Sequence, residues 1–532
     1  MKKFLVLALA AFAFAACSEK EENGNQPVQN GELEQSYVAI TLAADDLTRA
    51  DDGKYEEGLA EERAVKSAYV FFFKDGAAFP VTFNDGTSTS TNAGTNNYLQ
   101  VNLTGNGQAM DNVSDVKDAV LILQNYKGEY PNQIVAVLNW DPTAKASYTL
   151  SELQTKVATA VNNTNGFVMS NSVYADRADQ VVDAVDLTIA NIGKTEAEAM
   201  ANPVTIHVER VAAKVAFTAD NGGKFAVEKE IEGKPVFAQI KGFELYNDYE
   251  ESRLLKKINP NWATEDTNFG FTNWNDVDWF RSYWATSLGT AFPENKFAWD
   301  TDNTEIGGYV YCGENTRAWT KEADVRTKVV VKAQLVDAEG KPFEVVNWYG
   351  KDYIGEADLL RVVANTLKNT YFAKTVEGET AKYTGLTPED IKCVDRLVTD
   401  AKAYEVYFQL SDAGAAKTWS KYENGNYAAI EVDTLNAALA VVQPALVYKN
   451  GMTYYWLDIK HLGQAGSTTE YGIVRNHVYK VNINDITGYG TPVYDGTSDF
   501  INLEKPEDIV TYVSAQINIL SWRVVENDYD LK

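Results

Sequence analysis

The chain has 532 residues, with 48 Lys and Arg against 75 Asp and Glu and a formal net charge of -27. A surface this anionic repels phosphate backbones and acidic lipid headgroups, which argues against nucleic-acid binding and electrostatic membrane docking. Apolar residues at 45% and charged residues at 23% describe a globular chain, long enough for roughly two to four domains.

Residues 1–17 read MKKFLVLALAAFAFAAC: two lysines, an apolar run from Phe4 to Ala16, and small residues before Cys17. The run is too short to span a bilayer and has the layout of a secretory signal. Ala15-Ala16-Cys17 resembles a bacterial lipobox, with Phe14 where that pattern prefers Leu, so Cys17 is the expected lipidation site. Ser18-Glu19-Lys20-Glu21-Glu22 is similar to the acidic tag that sends lipoproteins of Bacteroidetes-type bacteria to the cell surface. The plainer alternative is a secreted protein in which Cys17 merely lies near the cleavage point. Cys312 and Cys393 are then the thiols of the folded body, either one disulfide or two buried thiols.

Residues 18–35 are a polar tether. Val38, Ile40 and Leu42 then alternate onto one side of a first strand. Beyond it, a small, acidic stretch from Ala43 to Gly53 contains Arg49, the kind of segment an arginine-specific protease draws into its cleft. Arg63 is a competing site, but it directly precedes a strand pattern. Val65–Phe73 and Gln133–Trp140 read as strands, the second nearly continuous in apolar residues and hence central. Thr149 and Glu152 have capping-box spacing, which starts a helix over Thr149–Ala160. Val204–Phe217 reads as one long strand with room for a bulge, and the domain junction is placed after it, near Gly222-Gly223.

The second body offers strands at Ala238–Tyr246, Lys328–Leu335, Glu405–Leu410, Met452–Ile459 and Val474–Ile483, with one helix over Glu356–Leu367. With no α/β alternation and no fixed-period repeat, the expected fold is mainly β: two antiparallel, sandwich-like domains with a few short helices. The expected divisions are the signal at 1–17, the tether and first strand at 18–49, β domains at 50–222 and 223–500, and a terminal segment at 501–532. In that last segment Val513, Ala515, Ile517 and Ile519 share one side of a strand. Leu520, Trp522 and Val524 then take over with a shift of parity, as at a bulge, a bend or a strand buried on both faces.

No catalytic constellation appears. Three histidines, at His207, His461 and His477, fall within or beside strand patterns, where packed or surface roles are commonest. There is no GxSxG elbow, HExxH or P-loop, so neither catalytic residues nor a metal or other cofactor is expected. Asp300–Glu305 lacks the glycine and closing glutamate of a calcium loop and reads as a solvated turn.

Several segments together resemble the Bacteroidales fimbrillins, the stalk subunits of type V pili, and most of all the shaft subunits of minor fimbriae. They are the lipobox, VERVAAKV at 208–215, RSYWA at 281–285, YCGENT at 311–316, and YYWLDIKH with YGIVRNHVYKVNI within 454–483. The terminal SAQINILSWRVV belongs with them, whereas residues 360–450 match less well. The resemblance implies a structural, non-enzymatic subunit that is exported as an outer-membrane lipoprotein and cut between Arg49 and Ala50. The cut removes the strand bearing Val38, Ile40 and Leu42. The C-terminal strand of an identical subunit then fills the vacated groove, giving a head-to-tail filament on the cell surface that contributes to adhesion. Tip and anchor pilins are the other partners it implies.

Charge is compatible with that scheme. Residues 1–49 hold four basic and seven acidic side chains, so the cut chain keeps 44 basic and 68 acidic ones and a net of -24. Two other classes remain open: a surface glycan-binding lipoprotein using Trp274, Trp279, Tyr283 and Trp284 as an aromatic platform, or a fimbrial tip adhesin. A glycoside hydrolase working through two carboxylates is a weaker third.

Overall fold

A computed structural model describes residues 33–43, 58–81, 96–101, 119–126, 128–161, 166–171, 174–177, 180–182, 184–257, 285–292, 298–317, 325–395, 405–461, 470–497, 513–520 and 525–527. The protein is mainly β, with short helices, as the composition predicts. The first body is built on β1 (Leu33–Ala43), α1 (Ala60–Arg63), β2 (Ala68–Lys74), β3 (Ala119–Tyr126) and β4 (Gln133–Leu138). It continues with α2 (Leu150–Thr155), β5 (Val157–Thr159), β6 (Met169–Asn171), β7 (Ile192–Gly193) and β8 (Val204–Arg210).

Along its main path the sheet runs β7-β1-β8-β6-β4-β2, with β3 on the free side of β1. β2 and β4 are apolar at nearly every position because both faces are covered. Val70, Phe72, Ile134 and Ala136 enter one core with Val38 and Ile40, while Phe71, Phe73, Val135 and Val137 enter another with Leu153.

The second body opens with β9 (Ala213–Ala219), β10 (Lys224–Ile231), β11 (Lys234–Tyr246), β12 (Glu251–Arg253), β13 (Tyr309–Cys312) and β14 (Lys328–Val336). The chain then builds an inserted unit. It contains β15 (Val345–Trp348), β16 (Lys351–Ile354), α3 (Gly355–Leu367), β17 (Tyr371–Glu377), β18 (Thr380–Gly385), β19 (Ile391–Asp395) and β20 (Glu405–Leu410). It closes with β21 (Thr418–Glu423), β22 (Asn426–Ile430), α4 (Val432–Ala440) and β23 (Ala445–Tyr448). The second body resumes with β24 (Met452–Asp458), β25 (Val478–Ile486), β26 (Thr491–Pro492), β27 (Val513–Leu520) and β28 (Val525–Asn527).

Two sheets, β13-β9-β25-β27-β28 and β10-β11-β14-β24-β26, enclose one core in which Val215, Phe217, Tyr479 and Val481 meet Ile240, Phe243, Val331 and Leu457. This is a β-sandwich. The inserted unit has a core of its own around Trp419, Phe408, Leu359 and Leu435. β15 and β23 serve both cores by period-two alternation: Val345 and Tyr448 face the sandwich, whereas Val346 and Val447 face the insert.

Two sequence expectations change here. The run 204–217 is two strands, not one. β8 lies in the first body's sheet and β9 in the sandwich, so the chain passes between bodies at Val211-Ala212, ahead of Gly222-Gly223. The helix begun by Thr149 ends at Thr155, because Val157–Thr159 pairs with Glu251–Arg253 of the second body and that long-range ladder overrides the local helical pattern. Asp300–Glu305 begins as a turn, with Asp300, Thr301, Asp302 and Glu305 exposed as expected, and is tied down at two points. Thr304 bridges to Phe243, and Thr301 accepts from the buried Lys332 through its carbonyl at 2.8 Å and its hydroxyl at 3.0 Å.

Candidate functional site

β1 lies between two edges. On one side it pairs antiparallel with β3 from Leu33↔Tyr126 to Ile40↔Ala119. On the other it meets β7 at Tyr37 and Val38, then runs parallel to β8 from Ile40↔Val204 to Ala43↔His207. Val38 and Ile40 are both 0% exposed and pack with Leu121, Leu123, Ile206 and Val208. The backbone of Leu42 pairs with Ile206, and its side chain lies outside the described set. Among the described strands β3 pairs with β1 alone. Removing β1 would therefore open a slot with unpaired backbone on both walls, the costly state that another strand would relieve. Cys17, Arg49 and Ala50 lie outside the described residues.

At the other end of the chain, β27 is antiparallel to β25, with register Tyr479↔Ile519, Val481↔Ile517, Ile483↔Ala515 and Ile486↔Val513. Those four β25 residues are fully buried in the sandwich core. Val513, Ala515, Ile517 and Ile519 thus occupy register positions beside the inward row of their host, and Leu520 pairs with Val478. Trp522 and Val524 lie outside the described residues, and β28 folds back on β27. In this chain the C-terminal strand is seated in its own sandwich, not held free.

Buried charge joins the two bodies. Arg475, 0% exposed, meets Glu314 at 3.2 Å and donates to the carbonyls of Arg253 at 2.7 Å and Leu254 at 3.4 Å. Leu254 and Leu255 themselves enter the first body's second core, so this arginine holds a strap that crosses between bodies. Lys256 and Glu209, both fully buried, approach to 3.7 Å. Burial pushes the Lys256 ammonium below its ordinary value, opposed by the carboxylates of Glu209 and Glu314.

Glu62 of α1 accepts from Lys214 at 2.7 Å and from the Tyr311 hydroxyl, both in the second body. Burial pushes the Glu62 carboxyl up, but the bonds from Lys214, Tyr311 and the Leu59 amide outweigh it and leave the group below its ordinary value. Sequence reasoning missed these residues. Their signal was a lone cation inside an apolar strand, Lys214 in VAAKVAF, and the charged Arg475 within VRNHV.

Cys312 and Cys393 are free, buried thiols, which decides between the two cysteine alternatives. His461 and His477 are buried and packed, with His461 bonded to Tyr479. Among the described residues no group of three or more His, Cys, Asp or Glu is placed to hold a metal. The tryptophans at 274, 279 and 284 and Tyr283 lie outside the described residues. A different aromatic group is open to solvent on the insert: Tyr383 and Tyr427 stack at 3.8 Å, with Phe372 and Tyr422 beside Tyr427.

Residues 446–528, which hold β24, β25 and the terminal β27, match the family model of the major fimbrial subunit protein (type IV, fimbrillin), C-terminal region. The chain thus carries a C-terminal region similar to that of the fimbrillins. No curated protein sequence matches it. Among solved structures it is similar to a fimbrilin from Porphyromonas gingivalis W83, at 10% identity over 90% of this chain and 96% of that one, with a TM-score of 0.36. It is also similar to a C-terminally truncated tip fimbrial protein from Porphyromonas gingivalis, at 12% identity over 90% and 99% of the two chains, TM-score 0.29. A third is a fimbrial assembly protein from Parabacteroides distasonis, at 11% identity over 74% and 100%, TM-score 0.30. The likeness to fimbrillins rests on the family match over residues 446–528.

Proposed function

We propose that this protein is a fimbrillin, the stalk subunit of a surface fimbria, and that it polymerises by strand exchange. It reaches the outer membrane as a lipoprotein acylated at Cys17, and an arginine-specific protease cuts between Arg49 and Ala50. That cut detaches the lipid together with all of β1, since β1 ends at Ala43. The strand of residues 513–520 then leaves β25 and enters the slot of the next subunit.

The observation that carries this reading is the position of β1: it is paired on both edges, buried through Val38 and Ile40, and next in sequence to Arg49. Each such side chain buried again by an incoming strand is worth about 1.5–3 kcal/mol. The incoming strand also restores backbone bonds, offset by the ordering of the tail and lost translational freedom. The seating of β27 in its own sandwich fits a subunit waiting to assemble, because leaving one apolar groove for another nearly balances. A head-to-tail contact of this kind does not close on itself and yields an open filament, with tip and anchor pilins at its ends. N-terminal sequencing of subunits from purified surface filaments tests the scheme: Ala50 is the expected first residue, and an acylated Cys17 would refute it.

A second reading, an adhesive tip subunit, is favoured by the aromatic face of the insert, where Tyr422 is 41% and Tyr427 40% exposed. Exposed rings of this kind suit partner recognition. Binding of surface glycans that is lost in Tyr427→Ala while filaments still form would support that role.

A further inference from the structure

Arg49-Ala50 and Arg63-Ala64 present the same pair of residues to an arginine-specific protease. The chemistry at the bond is also the same: water adds across the amide, the arginine carbonyl carbon taking the hydroxyl and the alanine nitrogen the proton. Local sequence therefore cannot tell the protease which of the two to cut.

The fold can. Such proteases take the substrate as an extended strand, whereas Arg63 ends α1 and its neighbours are bonded on every side. Within α1 the Glu62 amide donates to the Leu59 carbonyl at 3.0 Å, and the Leu59 amide donates to Glu62 Oε2 at 2.7 Å. The Glu62 carbonyl accepts from Arg210 Nε at 2.6 Å. Past the bond, Asn139 Nδ2 donates to the Ala64 carbonyl at 2.8 Å, and Asn139 Oδ1 accepts from the Lys66 amide at 2.7 Å. Val65 is fully buried, and so is Glu62, whose carboxylate reaches Lys214 in the second body. Gly166 makes the close approach possible. A Cβ there would stand 2.5 Å from Asn139 Nδ2 and 2.9 Å from the Ala64 carbonyl.

We propose that Glu62, Asn139 and Arg210 determine which arginine is processed, by holding the Arg63-Ala64 bond in a shape no protease cleft accepts. The inference rests on the reading that Arg49 is the processing site. Its value to the molecule is direct: a cut after Arg63 would let the Glu62 carboxylate leave with the propeptide and strand Lys214 in a site where it is only 7% exposed.

The test is limited digestion of the full-length chain with clostripain, an arginine-specific protease, following the ends Ala50 and Ala64 by N-terminal sequencing and intact mass. The Ala50 end is expected early and the Ala64 end not at all while the protein stays folded. In a chain carrying Glu62→Gln with Lys214→Met, and separately in Asn139→Ala, cleavage at Arg63 should accelerate on the order of a hundredfold, with cleavage at Arg49 unchanged. Thermal melting of each variant shows whether it is folded, and if a variant is not, the wild-type ratio of the two ends still decides. Comparable rates at both bonds in the wild type, or variants that leave the ratio unchanged, would overturn the inference while leaving Arg49 processing intact. Resistance of Arg49 itself would instead sink the processing reading.

Discussion

Arg210 ends the strand beside β1, and Ala213 begins the strand beside the host of the C-terminal strand, with only Val211 and Ala212 between them. Both intervening residues are fully buried. One continuous piece of backbone thus links the strand that pairs with β1 to the strand that pairs with the host of β27. Tension entering at one of these strands reaches the other through covalent bonds, and the buried pairs around the crossing keep the two bodies aligned.

The alignment depends on Arg475. Replacing it with Met leaves the buried Glu314 carboxylate without its guanidinium partner and removes the bonds to the Arg253 and Leu254 carbonyls, the second of which keeps Ser170 Oγ. A loss of about 3–5 kcal/mol is expected, the usual cost of stranding one member of a buried pair. Chemical denaturation of the soluble chain measures it. A change within about 0.5 kcal/mol, typical of a surface substitution, would mean that the strap is held by packing alone.

Acid should loosen the same joint through Glu62. Its carboxyl sits below the ordinary value when folded, so the stability it supplies is complete above the unfolded pKa of about 4.3 and is lost as pH falls through the lower folded value. Melting temperatures taken between neutral pH and pH 3 should fall more steeply for the wild type than for Glu62→Gln. Parallel curves would contradict this assignment of the acid sensitivity.

Ile40→Ala should have an effect that depends on processing. In the uncut chain it empties a fully buried site and should cost about 2–5 kcal/mol. If β1 departs on cleavage at Arg49, as proposed, the residue leaves with it, and cut wild type and cut variant should melt together. A variant that stays less stable after cleavage would show that β1 remains bound.

Gly166→Ala is expected to be among the most damaging small substitutions in the first body. Its φ of +84° is strained for any side chain, and the added carbon meets Asn139 and the Ala64 carbonyl. A loss above about 1 kcal/mol in denaturant titration is the expected result.

Much of the fold was legible because its signals are local. The capping box forms as read, with Thr149 Oγ1 accepting from the Glu152 amide at 3.2 Å and Glu152 accepting from the Thr149 amide at 2.8 Å. Strands over Lys328–Val336, Glu405–Leu410 and Met452–Asp458 follow from runs of β-branched and aromatic residues.

What was not legible depended on distant partners. Nothing near Val211 signals that the strand changes sheets, because apolar residues suit both cores equally. The insert escaped notice because Val345-Val346 and Val447-Tyr448 look like ordinary central strands, although they divide their faces between two cores. The alternation of residues 513–519 marks a strand that wants an apolar groove. It does not say whose groove, and in the single chain β25 supplies it.

The most direct measurement removes that strand. A chain lacking residues 514–532, expressed at the cell surface, should be exported and cut to begin at Ala50, yet run on mild denaturing gels as a monomer without the ladder of oligomers that the full-length chain forms. A normal ladder from the shortened chain would contradict the account, because subunits would then be joining without the strand that is supposed to link them.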